Sequence, residues 1–321
     1  MYQDLAEPQL WQHTSSLVEP ADFDTFWSTT LAESRAAGGP VLLEPAGSPL
    51  TTIDAWDVTF PGFAGDPVRA WYRRPADVHA DLPVVVQFVG YGGGRGEVTE
   101  NLLWAASGFA HLYVDTRGQG SGWSRGATPD PWGTGPQSPG VMTRGIDDPA
   151  TYYYRRLLTD AALAVDAARG LPGVDGTRVA AVGGSQGGAM ALAAGALADG
   201  VGAVAAHVPF LCDIERAIGI TDSRPFAEVV EYLRMHRAAA DRVLRTLSYV
   251  DGVAFARRGT APARFSVALM DTTVPPSTVV AAHHAWQGPK ELRVWRYNGH
   301  EAGAAMEDVE TVEFVTRTLG R

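Results

Sequence analysis

Apolar and polar positions alternate between residues 51 and 74, in AWDVTF and PVRAWYRRP. That period of two predicts antiparallel strands with one face toward a core. Further on, the alternation gives way to short unbroken apolar runs: LPVVVQFV (82–89), AHLYVD (110–115), RVAAVG (178–183), GAVAAHVP (202–209), RFSVALMD (264–271) and LRVWRY (292–297). Runs of this length read as strands buried on both faces. Helical periodicity fills the gaps. ADFDTFWSTTLAESRAAGG sets Phe23, Phe26, Trp27, Thr30 and Leu31 on one face and ends in glycines. In YYYRRLLTDAALAVDAARGL, Leu157, Leu158, Ala161, Ala162, Val165 and Ala168 share a face, and Gly170 and Pro172 stop the helix. VPPSTVVAAHHAWQG starts on prolines, and AAMEDVETVEFVTRTL closes the chain.

Buried strands alternating with helices predict an α/β fold: a mostly parallel central sheet with helices on both faces. The expected organisation is one domain over residues 1–321, with an N-terminal helix and antiparallel strands in 1–80. Residues 213–262 show no strand pattern and contain RPFAEVVEYLRMHRAAADRVLRTL. They read as a helical insertion at the C-terminal edge of the sheet, placed to form a lid or an interface.

Composition narrows the partners. The net charge of -10 and the absence of any Lys/Arg run longer than two disfavour nucleic acid and anionic membranes. The one cysteine, Cys212, excludes an intramolecular disulfide and a cysteine-based metal cluster, and reads as a small apolar filler. MYQDLAEPQL has neither a basic nor an apolar leader region, and no apolar run approaches bilayer length, so the expected location is cytoplasmic.

Two glycine-rich stretches carry candidate chemistry. FVGYGGGRGE follows a strand, and Asp115 ends the next one, as in a dinucleotide-binding unit. The spacing fails, because glycines at 90, 92, 93, 94 and 96 contain no G-x-G-x-x-G, and no Gly-Lys-Ser/Thr is present. Such a loop lets main-chain N–H groups approach a ligand, and in an α/β-hydrolase the first loop supplies one oxyanion donor.

The second stretch, RVAAVGGSQGGAMALAAGAL, holds Gly183-Gly184-Ser185-Gln186-Gly187, a G-x-S-x-G between a strand and a helix. A nucleophilic serine on a sharp strand-to-helix turn needs uncrowded neighbours, and the helix N-terminus directs N–H groups at a developing oxyanion. Asp271 ends one later strand and His300 follows the last, so the order is Ser, Asp, His with each residue at a strand's C-terminal end. Asp271 could instead cap the helix after it, and His300 could be an ordinary loop histidine. His111 and His207 lie within strands and His283 and His284 within a helix, which makes them poorer bases by placement. The expected catalytic set is Ser185, Asp271 and His300, with the N–H groups of Tyr91 and Gln186 as the oxyanion hole and no metal or organic cofactor. Tyr91, Pro209 and Phe210 are candidates for the pocket wall. Trp123 and Trp132 are candidates for stacking on a sugar, although ordinary packing explains them too.

Three motifs together, Arg117-Gly118-Gln119, Gly183-Gly184-Ser185-Gln186-Gly187 and His300-Glu301, resemble the acetyl xylan esterase / cephalosporin C deacetylase family of carbohydrate esterases. VMTRGIDDPATYYYRRLLTDAALAVD and VPFLCDIERA are similar to that family as well, from about residue 20 to the C-terminus. The resemblance implies an α/β-hydrolase fold, serine hydrolysis of short acyl esters of sugars, xylo-oligosaccharides and cephalosporins, and a homo-oligomer, commonly a hexamer. It also implies a structural role for Arg117, Gly118 and Gln119. The chain departs from the pattern at Val89, where family members often have His. Competing readings are a peptidase or a long-acyl lipase on the same fold, or a binding or assembly protein that keeps the motifs.

Overall fold

The computed structural model describes residues 4–133 and 135–321. Residues 1–3 and Thr134, which the expected single span includes, lie outside the described residues. Nine strands form one sheet: β1 (Leu42–Pro45), β2 (Ile53–Pro61), β3 (Pro67–Pro75), β4 (Leu82–Phe88), β5 (Ala110–Val114), β6 (Val174–Gly184), β7 (Ala203–His207), β8 (Ala263–Ala268) and β9 (Lys290–Trp295). Their spatial order is β1-β2-β3-β5-β4-β6-β7-β8-β9. The first three run antiparallel and β3 pairs antiparallel with β5; from β5 to β9 every pairing is parallel. Eleven α-helices accompany them among the described residues. Before β6 these are α1 (Glu7–Leu10), α2 (Phe23–Ala36), α3 (Leu103–Ala106) and α4 (Tyr153–Arg169). After it come α5 (Gln186–Leu197), α6 (Ile214–Ile220), α7 (Phe226–Met235), α8 (Ala240–Ser248), α9 (Gly252–Ala256), α10 (Pro276–Ala285) and α11 (Ala305–Leu319).

The apolar runs are explained by two covered faces. In β4, Val84, Val86 and Phe88 point into the larger core with α2, α4, α5 and α10, whereas Val85 joins Trp104, Phe109, Phe314 and Leu319 on the other face. In β6, Val179 and Ala181 take the first side and Ala180 and Val182 the second. Each fully buried valine contributes roughly 1.5–3 kcal/mol. The alternating strands behave differently: Val58 and Phe60 of β2 face inward, and Trp56 stacks across the pair on Tyr72 at 5.1 Å between ring centroids.

The segment between β7 and β8 is helical, with α6 to α9. Asp251 organises it by accepting from Val253 N–H as the cap of α9 and from Asp213 and Ile214 N–H groups. Burial pushes its carboxyl up to about 7, against those three hydrogen bonds, and Asp213 beside it adds to the rise. No helix among the described residues is long and apolar enough to cross a membrane.

Candidate active site

Ser185 sits between β6 and α5 with φ 55° and ψ −121°, a conformation that costs a non-glycine residue roughly 1–3 kcal/mol. Its surroundings hold it there. The Ser185 N–H donates to His207 carbonyl at 2.8 Å, and the Ser185 carbonyl accepts from Phe210 N–H at 3.0 Å. Two residues to either side of it the turn has no room for a side chain: a Cβ on Gly187 would stand 2.3 Å from Phe88 carbonyl oxygen, and one on Gly183 would stand 2.4 Å from Gly187 backbone.

The loops after β8 and β9 bring the other two side chains to this serine. His300 Nε2 is 3.0 Å from Ser185 Oγ, and His300 Nδ1 is 2.8 Å from Asp271 Oδ2. Asp271 is held in turn by Thr273 and Val274 N–H groups, which donate to its Oδ1 at 2.8 and 2.9 Å. An ionised carboxylate only accepts, so Nδ1 carries the imidazole proton and Nε2 presents its lone pair to the serine hydroxyl. The Asp271 side chain is fully buried and that of His300 is one-third exposed, which leaves the base open to a substrate. Asp271 lies three residues past β8 rather than at its end, because the strand stops at Ala268 and the chain turns.

A cavity of about 600 Å³ opens at Ser185 and His300, lined also by Tyr91, Trp123, Val208 and Pro225. Gln186 is the first residue of α5, where an N–H has no intrahelical acceptor, and Tyr91 borders the same cavity from the glycine-rich loop. Pro209 and Phe210 are not part of its wall. Phe210 is fully buried behind it, 4.4 Å from Phe226 and 6.5 Å from Tyr91 between ring centroids, and Pro209 packs under Gly188 at the start of α5. The backbone at Val208 and Leu211 has positive φ, and this turn carries the two residues inward. The tryptophans also separate. Trp123 lines the cavity with 63% exposure and donates its indole N–H to Tyr91 carbonyl, whereas Trp132 packs against Phe63 and donates to Asp66 outside the cavity lining.

Arg117, Gly118 and Gln119 hold these parts together. Arg117 is fully buried and bonds Asp160 through two nitrogens, at 2.5 and 2.8 Å, with Asp66 at 3.1 Å and Asp130 at 3.4 Å. Burial opposes its charge, but the three carboxylates outweigh that and raise its pKa, so it stays a guanidinium. Gly118 has φ 63° and would place a Cβ 2.8 Å from Asp130 and Arg144. Gln119 donates to Gln186 Oε1 and Tyr153 Oη, and accepts from Gly92 N–H at 2.6 Å. It thereby ties the loop of Tyr91 to the first residue of α5. Asp115 and Arg95 do related work: Asp115 accepts from Arg95 and Ala127 N–H groups, and Arg95 pairs with Asp57 and lies over Trp71. The hydrogen-bond chain from Asp271 to Ser185 Oγ runs through His300 and not through the rings of His111, His207 or His283. Burial and Arg73 hold His111 well below its usual pKa, burial pushes His283 down to about 4, and His207 lies 3.1 Å from Glu307 on the cavity wall. Cys212 is buried, and burial pushes its thiol up.

The acetyl xylan esterase (AXE1) family model matches residues 1–318. The chain belongs to that family. It is similar to an acetyl xylan esterase from Paenibacillus sp. R4, with a TM-score of 0.92 and 36% identity over 98% of this chain and 100% of the other. Acetyl xylan esterase 1 from Thermoanaerobacterium sp. JW/SL YS485 superposes with a TM-score of 0.89 and 30% identity over 98% and 99%. Among curated relatives, acetyl esterase Axe7A of Xylanibacter ruminicola is 28% identical over 285 residues, 88% of this chain, which spans 63% of that relative's length. More remote structures such as puromycin hydrolase, with a TM-score of 0.58 and 18% identity, share the α/β-hydrolase fold alone.

The wall residues Trp123, Val208 and Pro225, and the buried Glu228 bonded to Tyr91, form no sequence motif with the triad. Of these, only Trp123 stands out in the sequence, as a candidate for stacking on a sugar.

Proposed function

We propose that this chain is a serine carboxylesterase that removes acetyl groups from carbohydrate-like esters, acetylated xylo-oligosaccharides and the acetyl group of cephalosporins among them. The observation that carries the reading is the continuous chain of hydrogen bonds from Asp271 through His300 to Ser185 Oγ at the floor of an open cavity. In the first half-reaction His300 Nε2 takes the Ser185 proton as Oγ attacks the acetyl carbonyl, and Asp271 stabilises the imidazolium. The N–H groups of Gln186 and Tyr91 receive the oxyanion. His300 then returns the proton to the leaving sugar oxygen. In the second half-reaction water, deprotonated by His300, releases acetate and restores Ser185. Each oxyanion donor is typically worth ~100- to 1,000-fold in turnover. Family membership and the two acetyl xylan esterase structures support the acetyl and carbohydrate assignment. A cytoplasmic homo-oligomer, hexameric by family resemblance, belongs to the same reading, and sedimentation at several concentrations tests the assembly.

The test is a substrate panel. Acetylated xylo-oligosaccharides, cephalosporin C and p-nitrophenyl acetate should all be deacetylated, and p-nitrophenyl octanoate should turn over far more slowly. Preference for the octanoate would reject the acetyl assignment.

A further inference from the structure

Tyr91 is assigned one of the two oxyanion amides, yet it stands in a loop with glycines at 90, 92, 93, 94 and 96. Glycine gives that loop a freedom it must lose before an amide can be aimed. Hydrogen bonds at both ends hold the residue. Its carbonyl accepts from the Trp123 indole at 2.9 Å, and the next amide, Gly92 N–H, donates to Gln119. A further contact crosses 137 residues of sequence: Tyr91 Oη donates to Glu228 on α7, lying 2.8 and 3.1 Å from its two carboxylate oxygens.

Glu228 is 2% exposed. An unpaired carboxylate at such a site is expensive, so its lone pairs need donors. Tyr91 Oη and Met142 N–H supply them, the latter at 3.1 Å, and the Arg224 guanidinium lies 3.7 Å away. The hydroxyl that donates to Glu228 also accepts from Val141 N–H at 2.8 Å. The pocket around the carboxylate is closed, since a Cβ on Gly140 would come within 2.3 Å of either oxygen. Burial, then the charge of Glu228, pushes the Tyr91 phenol up, which keeps the hydroxyl a donor. Neither Glu228 nor Tyr91 Oη is needed to bond a substrate. Their joint effect is geometric: anchoring the Tyr91 hydroxyl and carbonyl places its Cα and nitrogen and so restricts where its N–H can point.

We propose that Glu228 is a positioning residue for oxyanion stabilisation: through the Tyr91 hydroxyl it holds the Tyr91 N–H where the tetrahedral intermediate needs it. The proposal rests on the serine-esterase reading. It makes the helical segment between β7 and β8 a part of the catalytic machinery that acts through Tyr91.

The experiment compares wild type, Glu228→Gln, Glu228→Leu, Tyr91→Phe and the double variant Tyr91→Phe/Glu228→Leu as full chains. Rates on p-nitrophenyl acetate are taken per active site, counted by titration with a serine-directed phosphonate. A misaimed donor forfeits part of the ~100- to 1,000-fold it supplies. Glu228→Leu should therefore lower kcat by about 10- to 100-fold while KM moves by less than about threefold. Glu228→Gln keeps one acceptor oxygen and should fall in between. The losses in the double variant should fall short of the product of the two single losses, because both changes cut the Tyr91–Glu228 link, while Tyr91→Phe also gives up the bond from Val141 N–H. An unchanged kcat per titrated site, a change confined to KM, or additive losses in the double variant would overturn the proposal. Should Glu228→Leu not fold, Glu228→Gln and Tyr91→Phe decide it by the same criteria. Wild-type protein that neither turns over nor titrates would instead sink the esterase reading, and the proposal with it.

Discussion

Replacing Asp271 with Asn exchanges one carboxylate oxygen for an NH2 group and should nearly abolish turnover. Oδ1 of Asp271 accepts two backbone N–H groups, from Thr273 at 2.8 Å and Val274 at 2.9 Å. An asparagine there must keep its carbonyl oxygen facing those donors, since its amide nitrogen would meet them donor to donor. The NH2 group therefore lands on the imidazole side, where Oδ2 stood 2.8 Å from His300 Nδ1. Nδ1 must then accept, the imidazole proton moves to Nε2, and Nε2–H points at Ser185 Oγ across 3.0 Å. A histidine in that tautomer has no lone pair for the serine proton. The expected loss is ~10,000-fold in kcat, about 5 kcal/mol of transition-state stabilisation. Stability should change by less than about 1 kcal/mol, because the turn keeps its capping hydrogen bonds. The assay is steady-state hydrolysis of p-nitrophenyl acetate by the variant and wild type, with thermal unfolding alongside. A variant within about tenfold of wild type, with an unchanged melting temperature, would refute the tautomer argument and Asp271's part in it.

Two further outcomes concern stability. Arg117→Met leaves Asp160 buried with no cation, so unfolding free energy should fall by about 3–5 kcal/mol in a denaturant titration, and a loss below about 1 kcal/mol would contradict the tethering role. Asp251 has a folded-state pKa of about 7 against 3.8 for the free side chain, so the folded state holds the proton more tightly between those values. Its contribution to stability should therefore decline as pH rises from about 4 to about 7 and level off above that. Asp251→Asn should flatten this slope, and identical pH profiles for variant and wild type would remove the effect.

The sequence and the structure agree best where a side chain's role is written into its neighbours. Ser185 announces itself because a strained turn under a closely packed helix excludes side chains at Gly183 and Gly187. The buried strands are legible because β4 and β6 are covered on both faces. Strand β1 is not, since its four residues, LLEP, lie at the sheet edge and are largely exposed, which leaves no burial pattern to read. The pocket wall is hidden for another reason. Whether Phe210 or Val208 faces the cavity depends on a turn with positive φ at non-glycine residues, and side-chain type does not encode that. Arg117 shows an intermediate case: the family motif marks it as structural, but its partners Asp66, Asp130 and Asp160 come from three separate segments. Glu228 is the extreme one, meeting Tyr91 only through the tertiary fold.

The claim on which the rest depends is that Ser185 Oγ is a nucleophile primed by His300. Incubation with a small p-nitrophenyl alkylphosphonate, followed by intact-mass and peptide mass spectrometry, measures it directly. The account predicts one phosphonyl group per chain, on Ser185, released p-nitrophenol in equal amount, and loss of both signals in Ser185→Ala. An unlabelled wild-type chain, or an adduct on another residue that persists in Ser185→Ala, would contradict it.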